Sequence, residues 1–200
     1  GKRTWDEIVA WGVEPGMYFK RATNSDIQRY FIRDRKEYIL YPQSVSFFKE
    51  LPSGVQQHLL AHAAELKERA AFKRGDCEWW KFTWPLHEAY YNRRRIICPY
   101  LATSNRFALD EQTEFLSLTD TTVLFENKQP ENLLYILGLL NSRLLTFRFR
   151  TIGKLKSGGI YEYFWNSISK LPIRRIDPNN PTDTQRHDEM VALVGRMLEL

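Results

Sequence analysis

Cysteine is almost absent: Cys77 and Cys98 are the only two in 200 residues, so no disulfide framework is implied and a reduced, cytoplasmic setting is expected. Long apolar runs are missing as well. No stretch reaches the roughly 20 apolar residues of a membrane span, and nothing resembles a signal peptide. There is no disorder signature in a chain that is 43% hydrophobic, and such a chain is long enough to bury a full core. Also lacking are a G-x-G-x-x-G turn, a P-loop, an H-E-x-x-H helix and a nucleophile elbow, so no catalytic centre is evident. The start at Gly1-Lys2, without an initiator Met, suggests a fragment of a larger protein.

Acidic residues are nearly missing from one long segment. Between Arg143 and Arg175 eight Lys/Arg face a single acid, Glu162, a net charge of +7. A second basic block, 66–100, holds eight Lys/Arg and four acids, whereas 101–142 holds two bases and six acids. Two basic blocks separated by an acidic one suggest a polarised surface facing a polyanion; a solvated mixed-charge exterior is the plainer alternative. Feeding the +7 segment is an apolar run, LLYILGLLNSRLLTFRF. In it Leu133, Ile136, Leu137, Leu140, Leu144 and Phe147 recur at the spacing of one helix face, which predicts a central buried helix opened by Pro130.

Elsewhere the signals are shorter. Residues 1–23 read as short strands and turns, and Arg29–Ile32 and Glu37–Tyr41 as two strands joined by a charged turn. Ser53 is an expected N-cap for a helix reaching about Ala71. On that helix His58 and His62 are one turn apart, a metal spacing that lacks a third ligand, and Glu65 with Lys67 forms an E-x-K pair of nuclease type. The segment 72–110 interleaves Lys73, Arg74, Lys81, Arg93, Arg94, Arg95 and Arg106 with Trp79, Trp80, Trp84, Tyr90, Tyr91 and Tyr100. Phosphate contacts plus base packing need this combination, although most single aromatics in it are expected in the core. Strands are expected at Ile96-Ile97, Phe107–Leu109 and within 115–126, followed at the end by an amphipathic helix after the linker DPNNPTDT. The final helix is expected to dock on another helix, in this chain, in the remainder of a larger protein, or in a second copy.

Several stretches together resemble the TaqI-like C-terminal specificity domain, the target-recognition domain of adenine-N6 DNA methyltransferases of restriction–modification systems. They are SDIQRYFIRDRKEYILYP, RRRIICPYLATSNRFALD, LLYILGLLNSRLL and KSGGIYEYFWNSISKLPI. The LLNS helix with its downstream LPI also occurs in type I restriction specificity subunits. Where members commonly carry a Gly and a basic residue before the first Asp-Ile, Asn24-Ser25 stand here.

The resemblance implies an α+β fold, a mixed-sheet recognition domain around a buried central helix (residues 1–176), with a linker and C-terminal helix at 177–200. It implies double-stranded DNA as partner, no catalytic residue or metal, and no cofactor in this fragment. An upstream methyltransferase domain of the same polypeptide would bind S-adenosylmethionine. The DNA-binding candidates are Lys73, Arg74, Lys81, Arg93, Arg94, Arg106, Lys154, Lys156, Ser157, Gly158 and Tyr161. Two alternatives of other classes stand beside it: a metal-dependent nuclease using Glu65, Lys67 and Asp110 or Asp120, and a protein-interaction scaffold.

Overall fold

The computed structural model describes residues 2–83, 93–116, 120–125 and 131–200. The chain divides into two compact units, Gly1–Arg21 with Asp34–Tyr91, and Ala22–Arg33 with Asn92–Leu200. The class is α+β, as the sequence implies.

The first unit begins with strand β1 (Lys2–Arg3) and helix α1 (Trp5–Ala10). Only strands and turns are expected here. The helix exists because Thr4 and Glu7 form a reciprocal capping box, each side chain accepting from the other's backbone N–H. Strands β2 (Tyr18–Arg21) and β3 (Tyr38–Leu40) follow, with β3 pairing antiparallel to both β1 and β2. The long helix expected from Ser53 is three short ones, α2 (Ser53–Ala61), α3 (Ala63–Lys67) and α4 (Ala70–Lys73). Ser53 is not the cap either: Pro52 holds that position and Ser53 is already helical. The core gathers Ile8, Tyr38, Val55, Leu59 and Trp80, with Trp79 packed 5.0 Å from Phe48. Both tryptophans are thus used for packing. Trp84, Tyr90 and Tyr91 lie outside the described residues.

In the second unit, β4 (Arg95–Pro99) is buried along its whole length, with β5 (Leu101–Ala102) next in the chain. Antiparallel partners β6 (Ala108–Asp110) and β8 (Thr121–Phe125) flank β4; the two-residue β7 (Phe115–Leu116) lies between them in sequence. The expected strand at Arg29–Ile32 is not formed. Tyr30 has a positive φ of 73°, which breaks the extended path, and only isolated bridges, Ile27 to Ile32 and Tyr30 to Ala108, remain.

The central helix is broken. α5 (Leu133–Asn141), capped by Asn132, stops where Ser142 turns extended and caps α6 (Arg143–Ile152), its hydroxyl accepting from Leu145 N at 3.1 Å. The sequence reading that ran one stripe through both halves is therefore corrected. The break resets the helical phase, so Leu145 and Phe149 are buried while Leu144 and Phe147 stand 73% and 69% exposed. Pro130 lies outside the described residues.

Beyond α6 come β9 (Lys154–Leu155), β10 (Tyr161–Glu162), the single turn α7 (Trp165–Ile168) and α8 (Pro181–Leu198). Of the partners open to it, α8 takes one within this chain. It seats Met190 and Val194 on Gly138 of α5, where a Cβ would lie 2.7 Å from the Met190 sulfur and 2.9 Å from a Val194 methyl. Side chains from β4, α5, α6 and α8, including Ile96, Leu137, Phe149 and Val194, close one core. No described helix is long and apolar enough to cross a membrane.

Candidate nucleic-acid interface

The +7 segment folds on the second unit into α6, then a hairpin of β9 and β10, then α7 and the LPI stretch. Of its eight cations the hairpin itself carries Lys154 and Lys156. β10 is the middle strand of a small antiparallel sheet, between β5 and β9. Between β9 and β10 the turn Ser157–Gly159 is closed by Lys156 N donating to Ile160 O at 2.7 Å. Gly158 and Gly159 both take positive φ, 68° and 73°, which L side chains resist. A Cβ on either would meet nothing within 4 Å, so the turn's backbone faces open space.

One carboxylate organises the cations of the hairpin. Glu162 is the cross-strand partner of Lys154, and its Oε2 lies 3.5 Å from Nζ of both Lys154 and Lys156. It also accepts from the Tyr100 hydroxyl. That hydrogen bond first, and then the two lysines, hold the Glu162 carboxyl below its ordinary pKa, while the Tyr100 phenol is pushed up in return. Tyr161, the neighbour of Glu162, is half-buried, its ring centroid 6.5 Å from that of Phe149.

Long-range hydrogen bonds fix the surroundings. Asn24 clamps Leu101 of β5 from both sides, its amide donating to the Leu101 carbonyl at 2.8 Å and its oxygen accepting from Leu101 N at 2.9 Å. Arg106 reaches the Asn24 carbonyl at 3.5 Å, and burial presses its guanidinium pKa downward. Arg150 reaches the Thr103 carbonyl, also at 3.5 Å. The LLNS run locks this layout to the core. Asn141 exchanges hydrogen bonds with both backbone groups of Phe107, and Asn105 donates to Leu140 O while accepting from the Tyr163 hydroxyl. Every group in this buried set has a partner.

The expected site residues divide between the units. Lys154, Lys156, Ser157, Gly158 and Tyr161 share the hairpin, and Arg106 joins its sheet through Asn24 and Leu101. On β4 and the residues before it, the Arg93-Arg94-Arg95 triplet splits: Arg93 is exposed, Arg94 pairs with Glu111 at 2.9 Å, and Arg95 is buried against Asp110. Lys73, Arg74 and Lys81 belong to the first unit. There Lys73 pairs with Glu68, Arg74 with Asp76, and Lys81 lies 4.9 Å over the Trp80 ring.

Sequence reasoning missed Asn24, Tyr100 and Glu162. Each left a partial signal: Glu162 as the lone acid among eight bases, Tyr100 as one of the aromatics interleaved with cations, and Asn24 as a departure from the family pattern.

The nuclease and metal candidates are also placed. Glu65 is exposed on α3, and Lys67 lies 5.5 Å over the Trp79 ring. Asp110 spends its carboxylate on Arg95 and on the backbone N–H groups of Glu114 and Phe115. Arg3, which can only donate, stands 2.8 Å from Nε2 of His58, so that nitrogen is an acceptor; burial and then Arg3 keep the imidazole pKa low. Among the described residues no group of three or more His, Cys, Asp or Glu is placed to hold a metal.

Comparison with known families decides the lineage. Residues 22–173 match the model of the TaqI-like C-terminal specificity domain. The chain belongs to this family. The match takes in the LLNS break, the hairpin and the LPI segment, and leaves β1, α1, β2 and α8 outside. No curated protein matches the chain. The coarse function of the specificity domain follows from the family: sequence-specific DNA binding of the restriction–modification type.

Proposed function

We infer that this specificity domain reads a short duplex sequence for a DNA adenine-N6 methyltransferase whose catalytic domain precedes it in the same polypeptide, in the cytoplasm. The carrying observation is the hairpin: two lysines lead into an open glycine turn, and the acid across from them is already engaged by both and by Tyr100. A phosphate approaching the turn competes with Glu162 for lysines that are poised and only loosely held. Counterion release from the duplex then favours the exchange. Bare backbone at Gly158 and Gly159 allows N–H groups to come close to phosphate or base edges, while Arg106, with its planar fork of donors, suits a guanine edge.

Methyl transfer belongs to the other domain. This chain has no Asn/Asp-Pro-Pro-aromatic tetrapeptide of the kind that holds a flipped adenine, and a cationic hairpin does not suit the sulfonium of S-adenosylmethionine. Its residues bind and orient DNA, and the cofactor supplies the methyl group where the adenine is extruded.

Selection of duplexes from a random-sequence pool by the 200-residue chain, at near-physiological salt and without Mg²⁺, tests the reading. An enriched short motif is expected. Recovery of unenriched DNA would reduce the role to phosphate binding, and no recovery at all would move it to protein interaction.

A further inference from the structure

The outward face of α6 is apolar along its crest and cationic along both flanks. Placed at 100° per residue, Phe147 and Thr151 fall on the crest with Leu144 beside them, Arg143 and Arg150 fall on one flank, and Arg148 on the other. The opposite side, Leu145 and Phe149, is sealed in the core. No acid occurs anywhere in the helix. Arg148 bonds the Thr151 hydroxyl at 3.2 Å and Arg150 makes its long contact with Thr103, so all three guanidinium groups remain at the surface.

Charge decides what such a face can meet. A second copy would set three arginines against three, which like-charge repulsion disfavours. A DNA major groove complements it in each part. The groove, about 12 Å wide, admits one helix; its two rims are lines of phosphate, and thymine C5 methyls supply apolar contacts on its floor. Flank arginines therefore match the rims and the apolar crest matches the methyls. The helix is also continuous with the basic hairpin, running through Gly153 directly into Lys154.

We propose that α6 is a recognition helix in which Phe147 and Leu144 contact thymine methyls while Arg143, Arg148 and Arg150 meet the flanking phosphates. The proposal rests on the DNA-reading function above and names the side chains that carry part of it.

The test uses the full chain and the duplex selected from the pool, with each thymine replaced in turn by deoxyuridine, which lacks only the methyl. Wild-type protein loses about fourfold in affinity at one or more positions, the worth of one buried methyl. Phe147→Ala binds about tenfold more weakly and no longer responds to deoxyuridine at those positions. Arg148→Ala keeps the deoxyuridine response but lowers the salt slope by about one unit. Because Phe147 is exposed, thermal unfolding of its variant matches wild type, which separates lost contact from lost fold.

Wild-type affinity and an unchanged deoxyuridine response in both Phe147→Ala and Leu144→Ala overturn the assignment, as does a selected site with no A·T pair. The first result leaves the recognition function standing, whereas a site with no A·T pair keeps sequence-specific binding but removes the adenine-N6 methyltransferase it is read for. A pool that yields no motif overturns the function and the helix assignment together.

Discussion

Two sets of ion pairs in the second unit use the same chemistry to opposite ends. Arg95 and Asp110 are cross-strand partners on β4 and β6, both 3% exposed, and Arg95 also donates to the Phe115 carbonyl at 2.6 Å. Lys154 and Lys156 share Glu162 at the surface, at 3.5 Å each. In the first set water is excluded, so neither charge can be released without leaving the other stranded. In the second, the lysines stand in water although Glu162 is largely covered, so solvent can replace the lysine contacts and they are weak and exchangeable. Burial, more than residue type, makes one set a fastener and the other a reserve of charge for a partner.

Breaking the buried set has the largest expected effect. Arg95→Ala leaves Asp110 uncompensated and should cost about 3–5 kcal/mol in urea unfolding, whereas a double replacement of both residues by apolar ones of similar size recovers most of it. A single variant as stable as wild type would show that the pair holds nothing together. Next comes the exposed set. Replacing Lys154 and Lys156 together by Ala should leave the unfolding midpoint where it is and flatten the salt dependence of DNA binding by about 2 units. An unchanged slope removes both lysines from the interface.

The smallest effect concerns pH. Glu162 has a lowered pKa in the folded state, so its contribution is present above the ordinary carboxylate value and is lost as pH falls through the folded one. The hairpin should thus be unchanged at neutral pH and loosen only in acid, below the ordinary carboxylate range, read from the backbone amide signals of Tyr161 and Glu162. Glu162→Gln should abolish that transition, and amide signals flat through acid would disconnect Glu162 from the hairpin's geometry.

Periodicity made much of the architecture legible. The apolar spacing of 133–140 and the β-branched run at Ile96-Ile97 form where the pattern puts them, while the amphipathic helix starts earlier than expected, at Pro181 inside the DPNNPTDT stretch, because Asn180 caps it there. What it concealed was any choice settled by distant partners. Asn141 and Ser142 lie inside a strongly helical run, yet Asn141 turns to Phe107, 34 residues away, and leaves Ser142 free to cap a second helix. A polar Asn-Ser pair in an apolar helix is the local sign of such a break.

In the Arg93-Arg94-Arg95 triplet nothing local separates a surface cation from a core one: Arg95 opens a strand buried at every position, and the partner that keeps it inside, Asp110, is 15 residues on. Asn24 acts on Leu101 across 77 residues, beyond any window of sequence. The hairpin was the readable part of the candidate site, because its charge and its glycines are contiguous.

The seat of α8 on Gly138 bears on the order in which the second unit can be made. Its core includes Val194 of α8 together with Ile96 and Leu137, which come much earlier in the chain. During synthesis from the N-terminus the nascent unit therefore emerges with the Gly138 side of α5 uncovered, and its hydrophobic core cannot close until α8 has also left the ribosome. For this fold α8 is the lid of the core, and a chain cut before α8 would keep the hairpin while leaving the scaffold beneath it open to aggregation.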